Sequence, residues 1–335
     1  MKKRAQEFDY KGLSSQKLIE LCDDKNAFKG FAEWRYWTAE VYSFGKHIRE
    51  CALYPSILPL HIFTDHGVGH YSDGIAKQEL ENDAYCQFYH STESVELFKK
   101  NSKKPCYTLL SPFVMCRRKN KIEQLKNAKG TLAFPAHSTP EIDDSSNIEK
   151  YIQQLKELPE EFQPVCVCLH MHDLHKEQHK IFIENDIPVY TAGNAFDYRF
   201  AERFYDILKH FKYTTSNMVG SYLFYSVEMG IPFSIYGNGP ELYNNSDPNL
   251  DNGVYNVDEN QEYSKIFKMF KGLNKEVTQE QKKIVEENLG IVDGLSRFEM
   301  AKTLYTAYLK HGNIAKDLLF AINAYRKFLK RKIKL

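Results

Sequence analysis

No run of about eighteen apolar residues occurs in the 335-residue chain, and no apolar segment follows its basic start, MKKRAQEFDYKGLSS. Neither a membrane span nor a cleavable secretory signal is therefore expected. The chain also lacks a GxxxxGKS or GxxxxGKT loop and a GxGxxG fingerprint, which removes the usual support for ATPase and dehydrogenase readings. It lacks a charge excess: 45 basic and 44 acidic residues leave a net charge of +1, so nothing global attracts nucleic acid. A disulfide framework is missing too. The seven cysteines (Cys22, Cys51, Cys86, Cys106, Cys116, Cys166, Cys168) are odd in number, scattered and mostly set in apolar runs, which fits reduced thiols and a cytoplasmic compartment. What is present, 42% hydrophobic and 27% charged residues, describes a soluble globular protein. Its length suits two domains at roughly 150 residues each.

The first half reads as mixed. Apolar residues at helical spacing from Phe28 to Leu53 (Phe31, Trp34, Trp37, Val41, Phe44) predict a helix, and Leu58–Phe63 predicts a buried strand ending in TDHGVGHYSDG. Further strands are expected at 84–89 and 106–110, with a capping-box start, STES, opening the helix between them. The lysine-rich stretch 117–130 reads as the crossing to a second domain. From Gly130, five short apolar strands alternate with four helices, near 147–158, 176–185, 197–210 and 219–229. That alternation predicts βαβ units and a parallel, doubly wound sheet. The expected fold is α/β with two Rossmann-like domains facing a central cleft: residues 1–125, residues 126–300, and 301–335 as C-terminal helices with a basic tail.

Ligands in such sheets sit at the carboxyl ends of the strands. Small and polar residues collect there: HSTPEIDDSS, HMHDLHKE, GNAFDYR, TSNMVGS and GNGPEL follow the five strands in turn. Thr215, Ser216, Asn217, Gly220 and Ser221 surround the start of a helix, where N–H groups and the helix dipole favour an anion. Equally, such residues serve as ordinary caps and turns. His137, Ser138 and Thr139 open the first loop; His170 and His172 open the second and read as phosphate contacts, with a metal role or plain packing as alternatives. Gly193, Asn194, Asn238 and Glu241 are candidates for base and ribose contacts. In the first domain, Asp65 and His66, with Gly67, His70 and Asp73 after them, lie where a general base would face the cleft.

The order DHG, PAHST, LHMH and TTSN at successive strand ends resembles bacterial two-domain glycosyltransferases of the GT-B fold that build capsules and lipooligosaccharides. It looks most like sialyltransferases and Kdo or polysialic acid transferases, whose His-Pro and later Ser-Ser or Ser/Thr motifs contact the donor phosphate. The resemblance puts His170 or His172 in the first role and Thr215 and Ser216 in the second. No literal His-Pro or Ser-Ser pair is present. The family's acidic base motif is met only by Asp65-His66-Gly67, and His66-Gly67 resembles the His-Gly motif of glycerol-phosphate polymerases. The resemblance implies metal-independent, inverting transfer of a sugar, with a CMP-linked donor favoured, to a hydroxyl of an oligosaccharide or lipid-linked surface glycan. No cofactor beyond the nucleotide-sugar, no bound metal and no nucleic acid are expected. Transfer of glycerol phosphate from CDP-glycerol stays open. So does a metal-dependent phosphoesterase, since HGVGHYSDG is similar to the HxH and SDG pieces of those enzymes, and so does a non-catalytic scaffold of polysaccharide assembly.

At the C-terminus, Leu318, Ile322, Tyr325, Leu329 and Ile333 fall on one helical face, and seven of the last twenty residues are Lys or Arg against the single Asp317. Residues 318–335 therefore suit either an anionic membrane surface, on the inner face of the cytoplasmic membrane, or packing back across the first domain.

Overall fold

A computed structural model describes residues 8–68, 75–137, 139–144, 147–246, 253–255 and 261–333. Three parallel strands, β1 (Ile62–Thr64), β2 (Cys86–Tyr89) and β3 (Cys106–Thr108), pair in that order to form the first lobe's sheet. The second lobe holds five parallel strands: β4 (Thr131–Ala133), β6 (Val165–Cys168), β7 (Val189–Tyr190), β8 (Tyr213–Ser216) and β9 (Phe233–Ile235), in the order β7-β6-β4-β8-β9. The order reverses at β4, and the strands are buried on both faces, as helix-covered parallel strands must be. A small antiparallel sheet of β5 (Ile142–Asp144), β10 (Leu242–Asn244) and β11 (Gly253–Tyr255) stands at the rim.

Helices connect these strands. The first lobe carries α2 (Phe44–Ala52), α3 (Lys77–Glu81), α4 (Thr92–Asn101) and α5 (Pro112–Lys119), preceded by α1 (Ser15–Cys22). The second carries α6 (Ile148–Lys156), α7 (Met171–His175), α8 (His179–Glu184), α9 (Phe200–Leu208) and α10 (Ser221–Glu228). Then follow α11 (Gln261–Phe270), α12 (Gln279–Asn288), α13 (Arg297–His311) and α14 (Ile314–Ile333). The return crossing is made by α12, which packs on α10, and by α13, which packs on α2. No helix among the described residues is long and apolar enough to cross a membrane.

Three expectations change in detail. The helical spacing of 28–53 becomes two short 3₁₀ turns and α2, because Tyr42 and Ser43 adopt left-handed backbone (φ 56° and 62°). There Tyr42 N–H donates to Ala195 of the other lobe at 2.6 Å, so a tertiary bond overrides the local pattern. The helix expected near 176–185 begins at Met171, directly after the strand, and breaks at Glu177 (φ 61°) into α7 and α8. Finally, the N-terminal segment sits on the second lobe: Leu13 N–H donates to Val189 (2.8 Å), and α1 packs on α7.

One apolar core runs through both lobes, from Phe44, Phe88 and Phe113 to Phe134, Phe204 and Phe233. Phe113 stacks on Tyr225 with ring centroids 4.2 Å apart. Polar links reinforce the junction: Arg117 on α5 grips Glu228 on α10 with two bonds of 2.5 and 2.6 Å. His47 on α2 lies between Glu50 (3.4 Å) and Glu202 of α9 (3.7 Å), beside Cys116. Burial alone would lower the His47 pKa, but the neighbouring Cys116, Glu202 and Glu50 outweigh it and raise the value to about 10. The unfolded imidazole titrates near 6.5, so this contribution is complete below pH 6.5 and is lost as pH rises through 10. Thermal midpoints across that window are expected to fall more steeply for the wild type than for His47→Gln; parallel curves would contradict the linkage.

Candidate functional site

The strand ends of both lobes meet at a cavity of about 320 Å³, a size suited to a small ligand. On the second-lobe side, β4 delivers Phe134, Pro135 and His137, β6 delivers Leu169 and His170, and the turn after β8 delivers Met218, Val219, Gly220 and Ser221. His66, Gly67 and Val68, beyond β1, form the opposing wall.

Six of the expected residues thus line one cavity: His66, Gly67, His137, His170, Gly220 and Ser221. Gly220 is the N-cap of α10 and offers no side-chain cap, so the helix's positive end faces the cavity. A Cβ on Gly220 would lie 2.5 Å from the Tyr222 ring, which explains the glycine. The Ser221 hydroxyl accepts from Val68 N–H across the cleft at 3.0 Å and also meets the Tyr225 phenol. Asp65 and His66 separate in role. Asp65 is buried, and its carboxylate accepts from Gly67 N–H at 3.1 Å, shaping the turn. His66 is exposed and rests against the Trp37 ring, with centroids 4.8 Å apart.

His170 caps α7: its Nδ1 accepts from His172 N–H at 3.4 Å. Nε2 then carries the hydrogen and lies 3.4 Å from the Tyr42 hydroxyl. Burial, followed by the neighbouring His137, His172 and His175, holds the His170 pKa well below 6.5. His172 is lowered by the same kind of causes, burial first. Burial raises the Tyr42 phenol and the Cys168 thiol each to about 12, and lifts the Tyr222 and Tyr225 phenols as well. At neutral pH these groups are uncharged. They offer an anion N–H and O–H donors beside a helix N-terminus.

Other expected residues stand elsewhere. Thr215 is buried and donates its hydroxyl to Ser234 at 2.8 Å. Ser216 pairs with the Tyr222 hydroxyl (2.8 Å) and accepts from Met218 N–H (3.2 Å). Asn217 clamps Ala136 N–H and the Asn238 carbonyl. These three brace the turn from behind and do not line the cavity. Thr139 accepts from Glu141 and Ile142 N–H in its own loop. Gly193 and Asn194, expected near the ribose, are covered by the N-terminal segment: Asn194 donates to Cys22 (3.0 Å) and Asp24 (2.7 Å). Asn238 and Glu241 lie on the rim, where their N–H groups donate to Gln154 and Asp144. Ser138, His70 and Asp73 lie outside the described residues.

Sequence reasoning missed the aromatic wall of the cavity. Phe134 and Tyr222 stack almost parallel at 4.8 Å, and Tyr42 is brought in by its left-handed backbone. Only the apolar character of those positions was readable in advance. The His170 ring lies 4.6 Å from that of His137 and 4.9 Å from that of His172. Among the described residues, the group whose ligating atoms lie within 4.8 Å of one another is His47, Cys116 and Glu202, where Lys46 also pairs with Glu202.

No protein-family model matches the chain, and no curated protein matches it. Solved structures do. UDP-GlcNAc 2-epimerase from Neisseria meningitidis, bound to UDP-GlcNAc, aligns at 10% identity with a TM-score of 0.37, over 68% of this chain and 62% of that one. The wall teichoic acid polymerase TagF, in a variant soaked with CDPG, aligns at 10% identity with a TM-score of 0.35, over 95% and 93%. TagF in another structure gives 10% identity and a TM-score of 0.32, over 81% and 68%. The chain spans less than two thirds of the epimerase chain. In architecture, it is an α/β protein with a three-stranded and a five-stranded parallel sheet.

Proposed function

We propose that this chain is a glycosyltransferase that moves a sugar from a nucleotide-linked donor, CMP-linked in the favoured case, to a hydroxyl of a bacterial surface glycan. The observation that carries the reading is the placement of His66 on one wall of the cavity, with the α10 N-terminus, Ser221 and His170 on the other. The donor phosphate sits against Gly220, Ser221 and the His170 Nε2–H. As the bond from the anomeric carbon to the phosphate oxygen breaks, the departing phosphate keeps the electron pair, and these donors stabilise it. His66 takes the proton of the acceptor hydroxyl, which attacks from the face opposite the leaving group and inverts the centre.

A second reading gains from the same geometry. His66 and Gly67 line the cavity and Asp65 does not, so the pair that resembles the His-Gly motif of glycerol-phosphate polymerases is the one at the cleft. Transfer of glycerol phosphate from CDP-glycerol would break a diphosphate P–O bond and likewise release CMP. Incubating the protein with a glycan acceptor and either CMP-sialic acid, CMP-Kdo or CDP-glycerol tests both readings. Labelled sugar in the acceptor supports the first, labelled glycerol the second, and no CMP release from any donor contradicts both.

Two substitutions separate the cavity from its brace. Ser221→Ala is expected to weaken donor binding roughly tenfold, about 1.4 kcal/mol, through loss of one charge-assisted hydrogen bond. Thr215→Ala is expected to lower stability by about 1 kcal/mol with donor affinity unchanged, because its hydroxyl serves Ser234. Calorimetric titration and urea unfolding of both variants check the pair, and the reverse pattern would return the phosphate role to Thr215.

A further inference from the structure

The C-terminal helix α14 packs on the protein through one stripe and leaves a second, apolar stripe uncovered. The packed stripe is Asp317, Ala321, Ala324 and Phe328. Asp317 is buried, accepts from the Tyr308 hydroxyl at 2.9 Å and pairs with Arg35 at 3.4 Å. Ala321 is buried, and the Phe328 ring lies 4.9 Å from that of Phe28 and 5.9 Å from that of Phe31. Each residue of the uncovered stripe follows one of these by a single position, a rotation of about 100° around the helix. Leu318, Ile322, Tyr325 and Leu329 are each at least 40% exposed. Packing back across the first lobe therefore does not consume the apolar face seen in the sequence.

The charge beside that stripe has one sign. Arg326 and Lys330 follow Tyr325 and Leu329 on the helix and are exposed. The single acidic residue of the last twenty, Asp317, is buried against Arg35 and gives no surface charge. A second copy of the chain would present the same basic flank, so self-pairing through this face would set like charges together. An apolar stripe flanked by cations is complementary to a surface that is apolar inside and anionic outside.

We propose that α14 lies on an anionic lipid surface, with Leu318, Ile322, Tyr325 and Leu329 in the acyl boundary and Arg326 and Lys330 among the headgroups. The proposal does not depend on the reaction assigned to the cleft.

Vesicle flotation of the full chain tests it, using phosphatidylcholine alone and phosphatidylcholine mixed with phosphatidylglycerol. The wild type is expected to float with the mixed vesicles at low salt, to stay behind with phosphatidylcholine alone, and to be released near 1 M salt, where screening shortens to about 3 Å. Two variants leave the packed stripe intact: Leu318→Gln/Ile322→Gln/Leu329→Gln, and Arg326→Gln/Lys330→Gln. Each is expected to lose at least tenfold in the floated fraction while keeping the wild-type circular dichroism and melting midpoint. Absence of wild-type flotation at low salt would overturn the proposal. So would a folded leucine-stripe variant that floats like the wild type, or sedimentation showing that the stripe instead closes a dimer.

Discussion

Replacing His66 by Asn is expected to cut turnover by about 10²–10⁴-fold while leaving nucleotide affinity nearly unchanged. The split follows from the geometry. His66 is on the first-lobe wall, whereas the groups assigned to the phosphate belong to the second lobe. Its backbone is held on both sides: Asp65 N–H donates to the Phe88 carbonyl at 2.9 Å, and Ser221 receives Val68 N–H. That turn sets the imidazole on the cavity wall, where an acceptor hydroxyl would reach it. Asp65→Asn should be milder in turnover and should act through the turn, because the amide oxygen can still accept from Gly67. Steady-state kinetics together with nucleotide titration reads the difference. A joint loss of binding and turnover in His66→Asn would move the residue from proton transfer to donor binding.

Arg49→Met is expected to destabilise the chain by about 3–5 kcal/mol, the range for removing one member of a buried ion pair. Arg49 and Glu40 are both buried and joined by two bonds, of 2.8 and 2.5 Å, while Arg49 Nε donates to the Leu58 carbonyl at 3.0 Å. Without the guanidinium, Glu40 keeps a charge away from water, and the chain entering β1 loses its tie to α2. The double variant Arg49→Met/Glu40→Leu should recover much of the loss, since an apolar pair of similar volume carries no stranded charge. Urea unfolding measures both. A single-variant loss below 1 kcal/mol would mean that the pair is not a stabilising tie.

The second lobe was legible because its strands are short, apolar and separated by helices, a pattern that depends on local periodicity alone. All five strands fall inside the runs read from the sequence, from Thr131–Ala133 to Phe233–Ile235. The region from Phe28 to Ser43 was not legible, because its conformation is set by bonds to Ala195 and Asp197 in the other lobe. The site divides in the same way. Loop position brought His66, Gly67, His137, His170, Gly220 and Ser221 to the cavity. Hydroxyl chemistry alone pointed equally to Thr215 and Ser216, and only the structure shows those hydroxyls spent on Ser234 and Tyr222. The covering of Gly193 and Asn194 by residues 21–24 needed knowledge of a contact about 170 positions away in sequence, which no spacing rule supplies.

The central claim, that the cavity receives a nucleotide-linked phosphate at the start of α10, is tested most directly by thermal stability with CMP, CDP, UDP and GDP. The wild type and Gly220→Ala are measured side by side. A Cβ at position 220 meets the Tyr222 ring at 2.5 Å, so the variant displaces the wall at the point where the phosphate is placed. One nucleotide class, cytidine in the favoured case, is expected to stabilise the wild type by about 2.7 kcal/mol at a hundredfold excess over Kd, and to lose most of that effect in the folded variant. Equal stabilisation of both proteins, or no stabilisation by any nucleotide, would contradict the assignment.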